Sequence, residues 1–154
     1  RGIAARNIAD IGTGTGLLAF AALHLWPGAL ATVSDIDPVC AQVVEGNAAL
    51  NAVRMGAGRG ALTMVIAPGM EDPLLQARAP YDLLIANILA GPLVELAPDF
   101  AKAVIPGGNI LLAGLLDSQE AGIRRAYFRQ GFRLAARLQV GDWPVLWLRR
   151  RGTR

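Results

Sequence analysis

The fold of this chain is decided by the stretch Asp10-Ile11-Gly12-Thr13-Gly14-Thr15-Gly16. It ends a short apolar run at residues 7–11 and opens an almost wholly apolar helical stretch at residues 16–26. Glycine accepts positive φ and carries no side chain, so a turn of this kind lets the backbone approach a ligand closely. The sequence therefore predicts a strand, a ligand-binding turn and a helix at the start of the chain.

Short apolar runs alternate with helical stretches along the rest of the chain, which is typical of a parallel sheet covered by helices on both faces. The pattern predicts strands at residues 7–11, 30–35, 62–67, 81–86 and 110–115, and helices at 16–26, 37–53, 93–104 and 118–130. Residues 132–140 and 143–149 flank the tight Gly141-Asp142 turn, which predicts an antiparallel hairpin at one edge. We therefore predict an α/β domain with a mostly parallel sheet and a C-terminal antiparallel hairpin.

Length and composition favour one ordinary globular domain, since 154 residues with 53% hydrophobic content can bury a substantial core. No apolar run approaches the roughly 20 residues that span a bilayer, and no signal peptide is visible. The single Cys40 cannot form an intrachain disulfide, and Cys and His do not cluster at metal-ligand spacing. We therefore expect no metal and no membrane association, a cytoplasmic location and a monomer.

Charge is divided unevenly along the chain, whose formal net charge is +3. Residues 117–154 hold nine Arg against three acids, which makes this part +6 and the remainder −3. One interpretation is a solvated helix face with a basic tail, and the other is a basic edge that faces RNA, where Arg contacts phosphate well. Aromatic residues are not interleaved with these arginines as in a single-strand stacking surface. We expect no direct contact with nucleic acid.

The spacing of the glycines distinguishes between cofactors. Gly12, Gly14 and Gly16 form Gly-x-Gly-x-Gly, whereas the dinucleotide fingerprint would need a glycine at Leu17. The carboxylate of Asp10 at the strand end would repel a pyrophosphate and attract the ammonium of a methionine moiety. These residues are predicted to bind such a cofactor, the alternative being a purely structural glycine turn.

A second acid, Asp35, ends the second predicted strand 19 residues after the last glycine, where it can accept hydrogen bonds from both ribose hydroxyls. Asp37 competes for this role, but Asp37-Pro38 is typical of a helix N-cap followed by proline at the first helical position. The loop after the third strand is expected to cover the adenine with Gly69 and Met70. A methionine there can equally be a core residue.

Asn87 follows the fourth strand, and ligands of such sheets bind beyond the carboxyl ends of the strands. Its amide cannot act as a general base. The amide oxygen can accept a hydrogen bond from an amine N–H and so orient the nitrogen lone pair, and the backbone carbonyl of Ile88 can do the same. We therefore predict Asn87 and Ile88 as catalytic residues, with Asn87 also at the cofactor. The alternative is that Asn87 only turns the chain before the next helix.

Three segments together resemble the PrmA family, the methyltransferases that modify the eleventh protein of the large ribosomal subunit. They are residues 10–16, Ser34-Asp35-Ile36-Asp37-Pro38 and the run Asn87-Ile88-Leu89-Ala90-Gly91-Pro92-Leu93. The resemblance continues at residues 95–98, 106–108, 113–115, 131–132 and 141–143 and so covers nearly the whole chain. Many methyltransferases share the glycine loop, whereas the run that begins at Asn87 is specific to this family.

The resemblance implies a class I S-adenosylmethionine-dependent methyltransferase (Rossmann-like) fold, with S-adenosylmethionine as cofactor and S-adenosylhomocysteine as product. It implies methyl transfer to lysine side chains and to the N-terminal α-amine of a large-subunit ribosomal protein. Residues 1–148 are then the catalytic domain and 149–154 a basic tail, and the N-terminal substrate-recognition domain of the family is absent. The alternatives are a cofactor-binding fragment without activity of its own, a small-molecule or nucleic-acid N-methyltransferase, and a nicotinamide-dependent oxidoreductase.

Overall fold

A computed structural model describes residues 3–152 of the chain. The elements follow one another as β1 (Asn7–Ile11), α1 (Leu17–Leu25), β2 (Leu30–Asp35), α2 (Val39–Leu50), β3 (Arg54–Met55), β4 (Ala61–Ile66), α3 (Pro73–Arg78), β5 (Tyr81–Asn87), α4 (Ala90–Glu95), α5 (Ala97–Ala103), β6 (Val104–Ala113), α6 (Glu120–Arg129), β7 (Phe132–Val140) and β8 (Trp143–Arg150). A 3-10 turn at Asp117–Gln119 leads into α6. No helix within residues 3–152 is long and apolar enough to cross a membrane.

The eight strands of residues 3–152 join in one sheet with the order β3-β4-β2-β1-β5-β6-β8-β7. The strands from β3 to β6 in this order are parallel, and β8 pairs antiparallel with both β6 and β7. The chain proceeds outward from β1 to either side, through β2 in one direction and β5 in the other, which opens a crevice beyond the carboxyl ends of these strands. The predicted α/β class with an antiparallel C-terminal hairpin is confirmed.

The two faces of the sheet carry separate apolar cores. One core lies between the sheet and α1 and α2, and includes Phe20 and Val44. The other lies against α3 to α6 and holds the largest buried aromatics, Tyr81, Phe100 and Tyr127. The sheet is therefore buried on both sides at its centre, which explains why the parallel strands are apolar at nearly every position.

The segment after β5 differs from the sequence prediction. The single helix expected at residues 93–104 is divided into α4 and α5, which meet at Leu96. Pro106-Gly107-Gly108, expected as a turn before the next strand, lies within β6. Val104 pairs with Tyr81 and Asn109 with Leu83, so the intervening residues of β6 bulge out of the ladder. Pro106-Gly107-Gly108 does interrupt the regular ladder, but pairing with β5 extends the strand on both sides of these residues.

Other differences are smaller. The short elements β3 and α3 were not predicted, and α3 begins where the Asp72 carboxylate accepts hydrogen bonds from two backbone N–H groups. The basic tail predicted from residue 149 begins later, since Arg149 and Arg150 complete β8 and donate to the carbonyls of Gly107 and Val104. The last two residues of that tail, 153 and 154, lie outside the described residues.

Candidate functional site

The carboxyl ends of β1, β2, β4 and β5 surround a cavity of about 580 Å³. Gly12 lines it from β1, Asp35 from β2, Gly69 from the loop after β4, and Asn87 and Ile88 from the end of β5. These residues come from four separate segments, and the topology of the sheet brings them together at one edge. Five of the predicted site residues therefore line one cavity.

The glycine loop above β1 is held to β2 by its backbone. The N–H groups of Gly12 and Thr13 both donate to the carbonyl of Ser34 at 2.9 Å. Gly12 has φ +73 and Gly14 has φ +57, a region that other residues adopt only at a cost. A Cβ at Gly12 would lie 2.3 Å from Cγ2 of Ile88, whereas the space beside Gly14 is open. The loop thus presents bare backbone at Gly14, where a ligand can approach.

Asp35 is positioned by two backbone N–H groups rather than by a cation. Its Oδ2 accepts a hydrogen bond from Gly14 N at 2.9 Å, and its Oδ1 accepts one from Asp37 N at 3.0 Å. Each carboxylate oxygen can accept a further hydrogen bond. The Asp37 carboxylate instead accepts from Val39 N at 2.9 Å at the start of α2, which supports the capping role expected from the sequence. Of these two acids, Asp35 is therefore the one that lines the cavity.

Asn87 ends β5 with an exposed side chain that makes no hydrogen bond to another group of residues 3–152. It lines the cofactor-sized cavity and also an apolar groove of about 380 Å³ between α1 and the sheet. Ala90, three residues on, is the first residue of α4, so no aromatic ring stands at this position. A free amide on the rim of the cavity is thereby available to a ligand that enters from either side.

Comparison with known proteins identifies the family of this chain. The family model described as ribosomal protein L11 methyltransferase (PrmA) matches residues 3–151. The chain belongs to the PrmA family. It is 39% identical to the ribosomal protein L11 methyltransferase of Caulobacter sp. (strain K31) and 41% identical to that of Mesorhizobium japonicum, each over 145 residues, or 94% of the chain. In both cases the match covers 48% of the relative, so the chain spans about half the length of the curated relatives it matches.

Solved structures agree with the family and with the fold. The crystal structure of ribosomal protein L11 methylase from Lactobacillus delbrueckii subsp. bulgaricus is 30% identical, with a TM-score of 0.80 over 96% of this chain and 70% of that one. An RNA methyltransferase from Salinibacter ruber, solved in complex with S-adenosyl-L-homocysteine, gives a TM-score of 0.71 at 13% identity over 97% of this chain and 83% of that one. The latter likeness concerns the fold alone. The class I methyltransferase fold predicted from the sequence is confirmed.

Asp10 occupies a different place in this PrmA family domain from the one expected. Because successive residues of a strand face opposite sides, Asp10 points toward α1 while its neighbour Ile11 lines the cavity. Asp10 is 1% exposed, its Oδ2 accepts from the Thr13 hydroxyl at 2.8 Å, and its Oδ1 has no hydrogen-bond partner among residues 3–152. Burial raises the pKa of this carboxyl to about 6, although the Thr13 hydrogen bond favours its charged form. The predicted direct contact with a cofactor ammonium is not supported by this placement.

Met70, Gly14 and Gly16 also lie outside the cavity lining. Met70 is 8% exposed and packs in the core against α3 to α6, so its side chain is not the wall expected from the sequence. The reason is that Gly69, with φ +53, turns the chain after the loop residues that line the cavity, which are Ala67, Pro68 and Gly69. Gly16 precedes α1 and accepts a hydrogen bond from Phe20 N, which makes it part of the helix start.

The PrmA family site includes residues that sequence reasoning missed. Ile36 lines the cavity with 71% of its surface exposed, and Leu96 and the carboxylate-bearing Glu95 line it from the end of α4. Ile36 was detectable, because the sequence places this large apolar residue between Asp35 and Asp37 after a predicted strand, where it would lie exposed unless something covers it. Glu95 and Leu96 were not, because their approach depends on how α4 returns over the cavity.

Proposed function

We propose that this domain binds S-adenosylmethionine and transfers its methyl group to amines of a large-subunit ribosomal protein, namely lysine side chains and the N-terminal α-amine. A cytoplasmic location and a monomeric state are part of the proposal. The observation that carries it is the unpaired amide of Asn87, which stands at the rim of the cavity that Asp35 and the glycine loop also line. A family whose matched relatives are named as methyltransferases of a ribosomal protein supports the choice of substrate.

The residues of the cavity fit the parts of this cofactor. Gly14 does not line the cavity, but its N–H donates to Asp35, which does, and the open space beside its left-handed backbone suits the close approach of the methionine part. Asp35 keeps an acceptor site on each oxygen for the two ribose hydroxyls. The exposed side chain of Ile36 and that of Leu96 form apolar walls that a purine can cover. Bound there, the cofactor supplies a methyl group activated by a sulfonium.

The transfer needs a neutral amine aimed at the methyl carbon more than it needs an acid or a base. Oδ1 of Asn87 can accept one N–H of that amine and the carbonyl of Ile88 another, which directs the nitrogen lone pair. The nitrogen forms the new N–C bond while the C–S bond breaks and sulfur keeps its electron pair. The extra proton then leaves to water. A lysine with an ordinary pKa near 10.4 is mostly charged at neutral pH, and desolvation at the rim favours its neutral form.

Two further observations support an aliphatic amine over a nucleobase. Ala90 provides no ring on which a base could stack. The arginines near the C-terminus are partly engaged within the protein: Arg137 contacts both Glu120 and Asp117, and the guanidinium of Arg133 lies 3.8 Å from the ring centre of Phe128. These contacts favour a structural role for the basic face over a nucleic-acid surface.

The test combines calorimetry with methyl transfer. The chain is titrated with S-adenosylmethionine and, separately, incubated with labelled cofactor and the purified ribosomal protein, whose methylated sites are located by mass spectrometry. Asn87→Ala is expected to lower kcat about 100-fold, because the amine is no longer oriented, while the cofactor Kd changes by less than about tenfold. Asn51→Ala, which removes another exposed asparagine at the end of α2, serves as the matched control and is expected to keep full activity.

Each competing function has its own outcome. Cofactor binding without methyl transfer by the unaltered chain would indicate a binding module. Methylation of free nucleic acid but not of protein would overturn the preference for an amine of a protein. Binding of NAD in place of S-adenosylmethionine would overturn the cofactor itself, and full turnover by Asn87→Ala would remove Asn87 from the mechanism.

A further inference from the structure

We propose that Gly114 is a positioning residue that holds the two oxygen atoms through which Asn87 and Ile88 orient the amine. This inference rests on the proposed function. Gly114 directly follows β6, and the last residue of β6, Ala113, pairs with Asn87 at the end of β5. Gly114 therefore stands beside the rim of the cavity without lining it.

The missing side chain of Gly114 is what brings these oxygens close. A Cβ built at Gly114 would lie 2.4 Å from the carbonyl oxygen of Ile88 and 2.9 Å from Oδ1 of Asn87. Both oxygens are therefore within 5.3 Å of each other, since both lie near that one point. A single amine nitrogen can donate hydrogen bonds to both oxygens, because each bond spans about 2.9 Å. The empty side of Gly114 thus coincides with the acceptor pair of the mechanism.

Any side chain at this position must move the acceptors. Real Cβ atoms stay at least 3.0 Å from such neighbours, so an alanine would displace the Ile88 carbonyl from 2.4 Å by at least 0.6 Å. That oxygen belongs to the backbone, which cannot rotate away as the end of a flexible side chain can. A misplacement of about 1 Å at a reacting group can cost about 100-fold in rate.

Gly107, which lies within β6, provides a matched control. Its φ is +78 and that of Gly114 is +82, so an alanine meets similar backbone strain at both positions. A Cβ at Gly107 would meet nothing within 4 Å. A difference between Gly114→Ala and Gly107→Ala therefore reports the displacement of the acceptors and not the left-handed conformation.

The experiment compares these two variants by kinetics and by NMR. Gly114→Ala is expected to lower kcat for methyl transfer about 100-fold, with the cofactor Kd within about fivefold, whereas Gly107→Ala keeps kcat. In the chain without substrate, the side-chain NH₂ signal of Asn87 and the carbonyl ¹³C signal of Ile88 shift in Gly114→Ala and stay in place in Gly107→Ala. A kcat of Gly114→Ala equal to that of Gly107→Ala, or unchanged Asn87 and Ile88 signals, would overturn the positioning role.

A second variant and a readout that is independent of activity keep the experiment decisive. If Gly114→Ala does not fold, the contact is tested with Asn87→Ala, a change at an exposed residue. This variant must shift the amide and α-carbon NMR signals of Gly114 but not those of Gly107. Equal shifts at both glycines would refute the contact. If the unaltered chain methylates no amine, the proposed function fails, while the NMR comparison still decides whether Gly114 positions the two oxygens.

Discussion

Replacement of the buried carboxyl of Asp10 by an amide should make the protein more stable at neutral pH. Asp10 is 1% exposed and burial raises its pKa from 3.8 to about 6. Asn is nearly the same size, and its amide oxygen can still accept the hydrogen bond that the Thr13 hydroxyl now donates to the carboxylate. Asp10→Asn therefore removes a charge that is unfavourable at this place while it preserves the contact.

The size and the pH range follow from the shift of the pKa. A difference of about 2 pKa units corresponds to about 3 kcal/mol between the two protonation states. Since the folded-state pKa is raised, the stability that protonated Asp10 contributes is fully present below pH 3.8 and is lost as the pH rises through 6. The wild-type protein should thus lose about 3 kcal/mol relative to Asp10→Asn over this range, with no further change above it.

Urea unfolding of both proteins between pH 3.5 and 8 measures this difference, because the other titratable groups contribute equally and cancel. Thr13→Val removes the hydrogen bond that favours the charged form and should extend the range to higher pH. The reasoning would be refuted if the difference in the free energy of unfolding were constant with pH. It would also be refuted if wild type became more stable relative to Asp10→Asn between pH 4 and 7. Calorimetry adds a second readout: since Asp10 does not line the cavity, Asp10→Asn should keep the cofactor Kd within about fivefold, whereas a direct ion pair predicts a larger loss.

Two other changes probe the cavity and the C-terminal half. Asp35→Asn should raise the Kd for S-adenosylmethionine at least tenfold by calorimetry, because it replaces a charged acceptor for the ribose hydroxyls and weakens the hold on the glycine loop; an unchanged Kd would show that Asp35 only braces the loop. Glu120→Gln should lower the free energy of unfolding by about 2 kcal/mol, since Glu120 is 8% exposed and accepts from Arg137 at 2.7 Å. Urea titration at low and high salt measures it, and equal stability of the two proteins would contradict it.

The parts of the fold that the sequence predicts well are those bounded by strong local signals. Strands β1 and β2 and the first strand of the hairpin have the predicted bounds, because Gly12, Pro27-Gly28 and Gly141-Asp142 mark their ends. The bulge of β6 was not predictable in the same way. Its position depends on which residue of β5 pairs with Val104, and local sequence carries no information about a partner so far along the chain.

The candidate site is likewise divided into residues that the sequence predicts and residues whose place depends on the folded structure. Gly12, Asp35, Asn87 and Ile88 were predictable because the carboxyl ends of parallel strands converge wherever the sheet places them. Asp10 is adjacent to the cavity in sequence but does not line it, because strand alternation turns it to the opposite face, and its contact with a cofactor stays a prediction. The acidic side chain of Asp10 suggests a binding role, whereas in the structure it is buried and accepts a hydrogen bond from the Thr13 hydroxyl.

Ile88 connects the two halves of the proposed site. Its Cγ2 lies 2.3 Å from the position that a Cβ of Gly12 would take, and its carbonyl oxygen lies 2.4 Å from the position that a Cβ of Gly114 would take. The glycine loop and the segment that follows β6 are therefore both packed against one residue, directly after β5. The absence of side chains at Gly12 and Gly114 thus allows Ile88 to contact both segments at once.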